Sequence, residues 1–165
     1  MVGVTDALPH AASVLIADAR ERLTGSPRDA LGEWASARKL LGFGRAPRIV
    51  GVGEAWHLGV LLITDTAVYA TGEVIRAREE AVRGFTAVAQ RERAERAAAA
   101  FRGGFSEGEA VHIGWQAIDL DAVDAGAASG PLEAAASGPL VRWSAAGGMR
   151  PLADYLADQL SVRGL

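Results

Sequence analysis

The stretch at residues 48–78 constrains the fold most, because its composition is strand-like over its whole length. It is rich in Val, Ile, Leu, Thr, Tyr and Trp, and is interrupted by glycines and by one polar turn at residues 64–66. Residues 60–63 are apolar at every position, which is typical of a strand covered on both faces. The pattern therefore predicts an antiparallel meander sheet with this strand at its centre.

Helical periodicity precedes the meander. Apolar residues recur at a spacing of three or four from Leu8 to Leu23, which predicts a first helix. Ser26 and Pro27, followed by the acidic Asp29, are a helix-start pattern and predict a second helix to residue 41. The two helices would form an N-terminal helical hairpin within residues 1–45.

Helices and strands also follow the meander. Residues 79–102 favour an internal helix, and residues 150–162 favour a helix that closes the core. Further strands are expected in residues 109–144, around a mobile loop at 119–138 that is rich in Ala, Gly and Ser. The chain is thus predicted to be a single α+β domain spanning residues 1–165.

Composition excludes several classes of function. The net charge of −3 gives no general attraction to nucleic acid or to an anionic membrane. The absence of cysteine excludes disulfides, thiolate metal sites and cysteine nucleophiles. No apolar stretch reaches the roughly 18–20 residues that a membrane helix needs, and no targeting segment is evident. We therefore expect a cytoplasmic protein without integral membrane association.

Two loop-like motifs depart from the patterns that they partly match. The stretch Gly51-Val52-Gly53 begins like a dinucleotide-binding turn, but Trp56 stands where the third glycine belongs and no helix is predicted to follow. The acidic run at residues 119–126 lacks the spacing and the closing acid of a calcium loop. Neither motif predicts a cofactor, and we expect none.

Ser36 and Lys39 have the spacing of a nucleophile and its base. Residues three apart share one face of a helix, so a neutral lysine could deprotonate the serine. The further motifs of serine–lysine enzymes are absent, and an exposed helix face that leaves Lys39 charged is the favoured interpretation.

The three histidines, His10, His57 and His112, show no short-range metal-ligand spacing, so no metal site is predicted. His57 and His112 are expected to be partly exposed strand residues, with a meeting across a sheet as the alternative.

A binding surface is a second hypothesis. Trp56 and Gly59 flank a glycine-rich stretch, and a large aromatic beside residues without side chains can form a concave apolar site or an association surface. We therefore take Trp56, His57, Gly59 and Trp115 as candidate binding residues. Trp56 is expected to be at least partly exposed near a pocket or a dimer contact, with burial in the core as the alternative.

Three segments carry a resemblance to a known family. The runs AWHLGVLLITDTAVYATGEVIRA, AAAAFRGGFSEGE and GPLVRWS with RPLADYLADQL resemble a family of short actinobacterial proteins, some of which are described as glutaminases. Established serine-dependent glutaminases are longer and carry motifs that this chain lacks. The meander with its closing helix is also similar in architecture to bacterial pleckstrin-homology and GRAM-like modules, which bind peptides or lipids, and implies a partly open barrel.

Two functions follow from these patterns. The leading hypothesis is a non-catalytic binding or interaction module for an unknown protein, peptide or small-molecule ligand, with a homodimer left open. The alternative is a small amidohydrolase that uses Ser36 and Lys39. Exposure of these two residues away from any concavity would favour the first hypothesis over the second.

Overall fold

The computed structural model describes residues 11–35, 46–79, 84 and 87–165. Contacts divide the chain into two compact units, each built from segments that are distant in sequence. Unit 1 comprises Met1–Pro27, Trp56–Thr71 and Gln116–Leu165, and unit 2 comprises Arg28–Ala55 and Gly72–Trp115.

The described part of the chain contains four helices and eleven strands. The helices there are α1 (Ala12–Leu23), α2 (Val88–Arg102), α3 (Leu120–Asp124) and α4 (Leu152–Val162). The strands there are β1 (Asp29–Trp34), β2 (Ile49–Leu58), β3 (Leu61–Ile63), β4 (Val68–Ala70), β5 (Glu73–Arg76), β6 (Ala110–Ile113), β7 (Gln116–Ala117), β8 (Ala128–Ser129), β9 (Leu132–Glu133), β10 (Leu140–Arg142) and β11 (Met149–Pro151).

Unit 1 packs helices against two antiparallel sheets. The end of β2 pairs with β3, β3 with β4, and β4 with β7, while β11, β10, β9 and β8 form the second sheet in that order. The buried faces of α1 and α4 meet the apolar residues of β3 and neighbouring strands in one core, in which Ile16, Leu61 and Leu160 are almost fully buried. The hydrophobic effect of this shared burial holds the distant segments of unit 1 together.

Unit 2 is a mixed sheet covered by α2. Its strand order is β5, β6, β1 and β2, in which β1 and β6 run parallel and the other pairs run antiparallel. The alanines at the end of α2 pack on a face that includes Ile49 and Val111. Gly32 faces the same core, where a Cβ atom would lie 2.7 Å from a methyl carbon of each of these two side chains. Glycine is therefore required at this close approach in β1.

The α+β fold class is confirmed. The N-terminal helix, the antiparallel strands of the meander, the internal helix and the C-terminal helix are all present. The apolar strand at its centre is β3, whose three residues are fully buried. Among the described residues the sheets are open and do not close into a barrel.

The second helix of the predicted N-terminal hairpin is wrong over Asp29–Trp34, which form β1. The start pattern at Ser26 and Pro27 is outweighed by burial of Leu31 and Gly32 in a strand that pairs with β2 along its length and with β6 at Ala30 and Leu31. Residues 36–45 of the predicted hairpin, and residues 8–10 of its first helix, lie outside the described residues.

Two other predictions are corrected. The mobile loop at 119–138 contains α3, β8 and β9, because the Asp119 side chain caps α3 through the Ala122 amide and Leu132 is buried in the core. The last strand of the predicted meander, β5, pairs with β6 and not with β4. Local composition indicated strands here, but pairing partners far along the chain determined their order.

Candidate functional site

A buried histidine and a carboxylate meet in unit 2. Leu31 on β1 lies opposite His112 on β6, so Asp29, two residues before Leu31, lies on the same face of the sheet as His112. The His112 Nε2 atom lies 2.9 Å from the Asp29 Oδ2 atom. The His112 side chain is fully buried, whereas that of Asp29 is 40% exposed. The carboxylate thus connects a buried imidazole to solvent.

The chemistry of this pair is that of an oriented imidazole. A carboxylate bonded to one ring nitrogen holds the ring in a fixed orientation, and an oriented imidazole suits proton transfer or metal ligation. The prediction that His112 is a partly exposed strand residue is wrong. Sequence reasoning did not select Asp29, because the two residues are 83 positions apart and share no short motif.

Trp56 belongs to the core of unit 1. Its side chain is only 1% exposed, and its indole Nε1–H donates a hydrogen bond of 3.1 Å to the Ser26 carbonyl oxygen. The prediction that Trp56 is partly exposed is therefore wrong. Its ring area is used in packing against core residues, and its polar atom is bonded to the backbone.

His57 lies in β2 opposite Leu62, and Gly59 lies in the turn between β2 and β3. The His57 Nε2 atom is 2.8 Å from the Gly59 carbonyl oxygen, and the imidazole is partly exposed. The Tyr155 hydroxyl accepts from the Val60 amide at 2.8 Å and donates to the Leu58 carbonyl at 3.0 Å. The Tyr155 hydroxyl thus connects the turn to α4 within unit 1. His57 and His112 lie in different units.

Trp115 is half-buried and lies between β6 and β7. Ser36 and Lys39 lie outside the described residues, so the alternative catalytic pair stays a prediction. The stretch from Gly51 to Trp56 is continuous strand within β2, and β2 is followed by β3 and not by a helix. A dinucleotide-binding turn requires strand, turn and helix, so this local architecture does not match it.

Two acids of the suspected calcium loop are used as helix caps. Asp119 caps α3, and the Asp124 carboxylate accepts from the amides of Ala12 and Ser13 at 2.6 and 3.2 Å, at the start of α1. A pocket of about 220 Å³ lies beside this cap and is otherwise lined mainly by alanines of residues 134–136 and by Pro139. The charge that could have attracted a cation is therefore engaged with the N-terminus of a helix.

An exposed tryptophan lies in the hairpin between β10 and β11. The Trp143 side chain is 52% exposed, and its backbone amide donates to the Gly148 carbonyl at 3.1 Å. A Cβ atom at Gly148 would lie 2.7 Å from the Trp143 Nε1 atom, so the indole lies directly against the backbone of Gly148. The preceding Arg142 is also exposed. We call Arg142 and Trp143 the hairpin surface.

Comparison of the chain with protein-family models, with curated proteins and with solved structures found no significant match. Among the helices of the described residues, none combines the length and the apolar character needed to cross a membrane.

Proposed function

We propose that this chain is a cytoplasmic binding or interaction module that recognises a peptide or protein segment through the hairpin surface. The observation that carries the proposal is the half-exposed Trp143 in unit 1. A tryptophan side chain offers roughly 150–250 Å² for burial, so leaving half of it in water forgoes about 2–3 kcal/mol of hydrophobic stabilisation. That free energy is available to a partner that covers the ring.

The geometry of the hairpin favours binding over accidental exposure. Contact with Gly148 holds the indole in one orientation before any partner arrives, which lowers the entropy lost on association. Tryptophan and arginine are the residue types most often found at the energetic centre of interfaces, and here they are adjacent. The hairpin surface therefore has the composition and the rigidity of a binding hot spot.

The resemblance to pleckstrin-homology and GRAM-like modules is the sequence-based motive for this proposal. It implies a partly open barrel, whereas the sheets of the described residues are open, include the parallel pair β1 and β6, and are followed by a C-terminal helix. The alternative function, hydrolysis of an amide by Ser36 and Lys39, receives no support from a contact among the described residues, since both lie outside them. The binding hypothesis is thus the one with an observed surface behind it.

A peptide library displayed on phage and selected against the full chain tests the proposal. Trp34, which is 51% exposed on β1 of unit 2, provides a matched control residue of the same type and exposure. We expect selected peptides to share a sequence pattern, to bind Trp34→Ala as tightly as the parent chain, and to lose at least tenfold in affinity for Trp143→Ala. Equal affinity for Trp143→Ala, or no shared pattern after selection, would refute binding through this surface.

A further inference from the structure

We infer that Asp29 and His112 are two protein ligands of a divalent transition-metal site, with Zn²⁺ the ion that fits best. This inference is independent of the hairpin surface and uses other residues in unit 2. It starts from the distance of 2.9 Å between the His112 Nε2 atom and the Asp29 Oδ2 atom.

The distance suits two ligands of one metal ion. Zinc is bound by imidazole nitrogen at about 2.0–2.1 Å and by carboxylate oxygen at about 2.0–2.2 Å. Two such atoms that subtend a right angle at the metal are about 2.9 Å apart, and a tetrahedral angle separates them by about 3.3 Å. An ion can therefore replace the shared proton with movements of a few tenths of an ångström, on the order of the tolerance of such sites.

The donor set selects the class of metal. Nitrogen from imidazole with oxygen from carboxylate suits zinc and its first-row neighbours, whereas calcium and magnesium prefer oxygen ligands alone. The chain has no cysteine, so a closed thiolate site is excluded. Two protein ligands leave the other positions to water and to any further side chain, as in a metal site that remains accessible to a ligand.

The surroundings of the pair suit an ordered site with a route to solvent. His112 is held in β6 by pairing with Leu31 on β1 and with Val74 on β5, and its side chain is fully buried. Ligands on paired strands keep their positions better than ligands on loops. The 40% exposure of the Asp29 side chain gives a hydrated ion a first contact from solvent.

Metal titration of the full chain, first stripped with a chelator, tests the inference. Zn²⁺ affinity is measured by competition with a chromophoric chelator, and the visible absorption of Co²⁺ reports nitrogen and oxygen ligation. We expect one equivalent of Zn²⁺ to bind, and we expect Asp29→Asn and His112→Gln each to weaken binding at least tenfold. Glutamine at position 112 retains an N–H that can bond to Asp29 but is a poor zinc ligand, so it separates metal binding from the hydrogen bond.

Matched variants complete the design. Glu54→Gln removes an exposed carboxylate from β2 of the same sheet and should leave the affinity unchanged. His10→Gln and His57→Gln, made in parallel, detect a nitrogen ligand supplied by either of the other two histidines. Circular dichroism of each variant shows whether it is folded, and Asp29→Asn serves if His112→Gln does not fold.

Two results would overturn the inference. One is the absence of Zn²⁺ binding above that of a metal-free reference protein. The other is binding that persists in folded Asp29→Asn and His112→Gln, including the case in which only His10→Gln or His57→Gln abolishes it. Loss of binding in Asp29→Asn, in His112→Gln and in one further histidine variant would support the pair and add a third ligand to it.

Discussion

Replacing Tyr155 with phenylalanine removes one hydroxyl that holds both sides of the β2–β3 turn. In the parent chain this hydroxyl accepts from the Val60 amide and donates to the Leu58 carbonyl, and the Tyr155 residue is only 5% exposed. The ring itself packs in the core of unit 1 and is retained in phenylalanine. The substitution therefore isolates the two hydrogen bonds from the packing of α4.

The expected loss of stability depends on the two backbone groups that lose the Tyr155 hydroxyl as their hydrogen-bond partner. A buried polar group that loses its partner costs about 1–3 kcal/mol. The bond to Leu58 is buried, whereas Val60 is partly exposed, so that water can replace the hydroxyl at its amide. We therefore expect Tyr155→Phe to lower the free energy of unfolding by about 2–3 kcal/mol. This value is nearer to the cost of one unpaired buried group than to that of two. Urea unfolding followed by circular dichroism measures this, with an unchanged dependence on urea concentration.

Alkaline pH gives a second, independent readout. Burial raises the pKa of Tyr155 above its ordinary value of 10.0, although the Val60 amide and the charge of Arg150 oppose this. Because the folded pKa is the higher one, the unfolded chain loses this proton first as pH rises. The contribution of Tyr155 to stability is then complete below pH 10.0 and is lost as pH rises through the folded pKa. Tyr155→Phe should lack this loss, and Tyr69→Phe, at the other tyrosine of the chain, should retain it.

The Gly59 position tests the same geometry by a double-mutant cycle. Gly59 has a φ of +59°, and a Cβ atom there would collide with the Tyr155 hydroxyl. Gly59→Ala should therefore cost less in the Tyr155→Phe background than in the parent chain, with a coupling of about 0.5–3 kcal/mol. Additive costs, or a Tyr155→Phe variant within about 0.5 kcal/mol of the parent, would refute the view that this hydroxyl fastens the turn.

Leu156→Asp places a carboxylate in the core of unit 1 and should lower the free energy of unfolding by several kcal/mol in urea unfolding; a midpoint equal to that of the parent would show that α4 is peripheral. Gly32→Ala should cost about 1–3 kcal/mol in the same assay, because its Cβ atom would lie 2.7 Å from two core methyl carbons. Ammonia release from glutamine should stay at background, and Ser36→Ala should not change it; release that disappears in both Ser36→Ala and Lys39→Ala would support the amidohydrolase instead.

Local periodicity was sufficient to predict an element where the pattern of apolar residues within that segment defines its buried face. The apolar residues of α1 and α4 repeat at helical spacing, and both helices form with those residues inside. The fully apolar sequence of β3 likewise predicted that this strand is buried on both faces. These elements depend on patterns within about a dozen residues, which a sequence displays directly.

The candidate site depended on contacts that no local pattern contains. The exposure of Trp143 and the burial of Trp56 are opposite outcomes for the same residue type, and packing in unit 1 decided them. His112 and Asp29 lie on neighbouring strands, β6 and β1, but are more than 80 positions apart in the sequence. A single sequence shows that these residues are present, but it does not show which of them lie in contact in the folded protein.

The segment Asp29–Trp34 shows most clearly the difference between what the sequence predicts and what the tertiary structure decides. The sequence by itself predicted a helix here, because Ser26 and Pro27 followed by Asp29 form a helix-start pattern. The tertiary structure decided for the strand, since Leu31 and Gly32 are buried there between β2 and β6, and Gly32 lets the core side chains pack closely. Backbone hydrogen bonds are satisfied in either state, so burial against distant strands outweighs a local preference of about 1 kcal/mol.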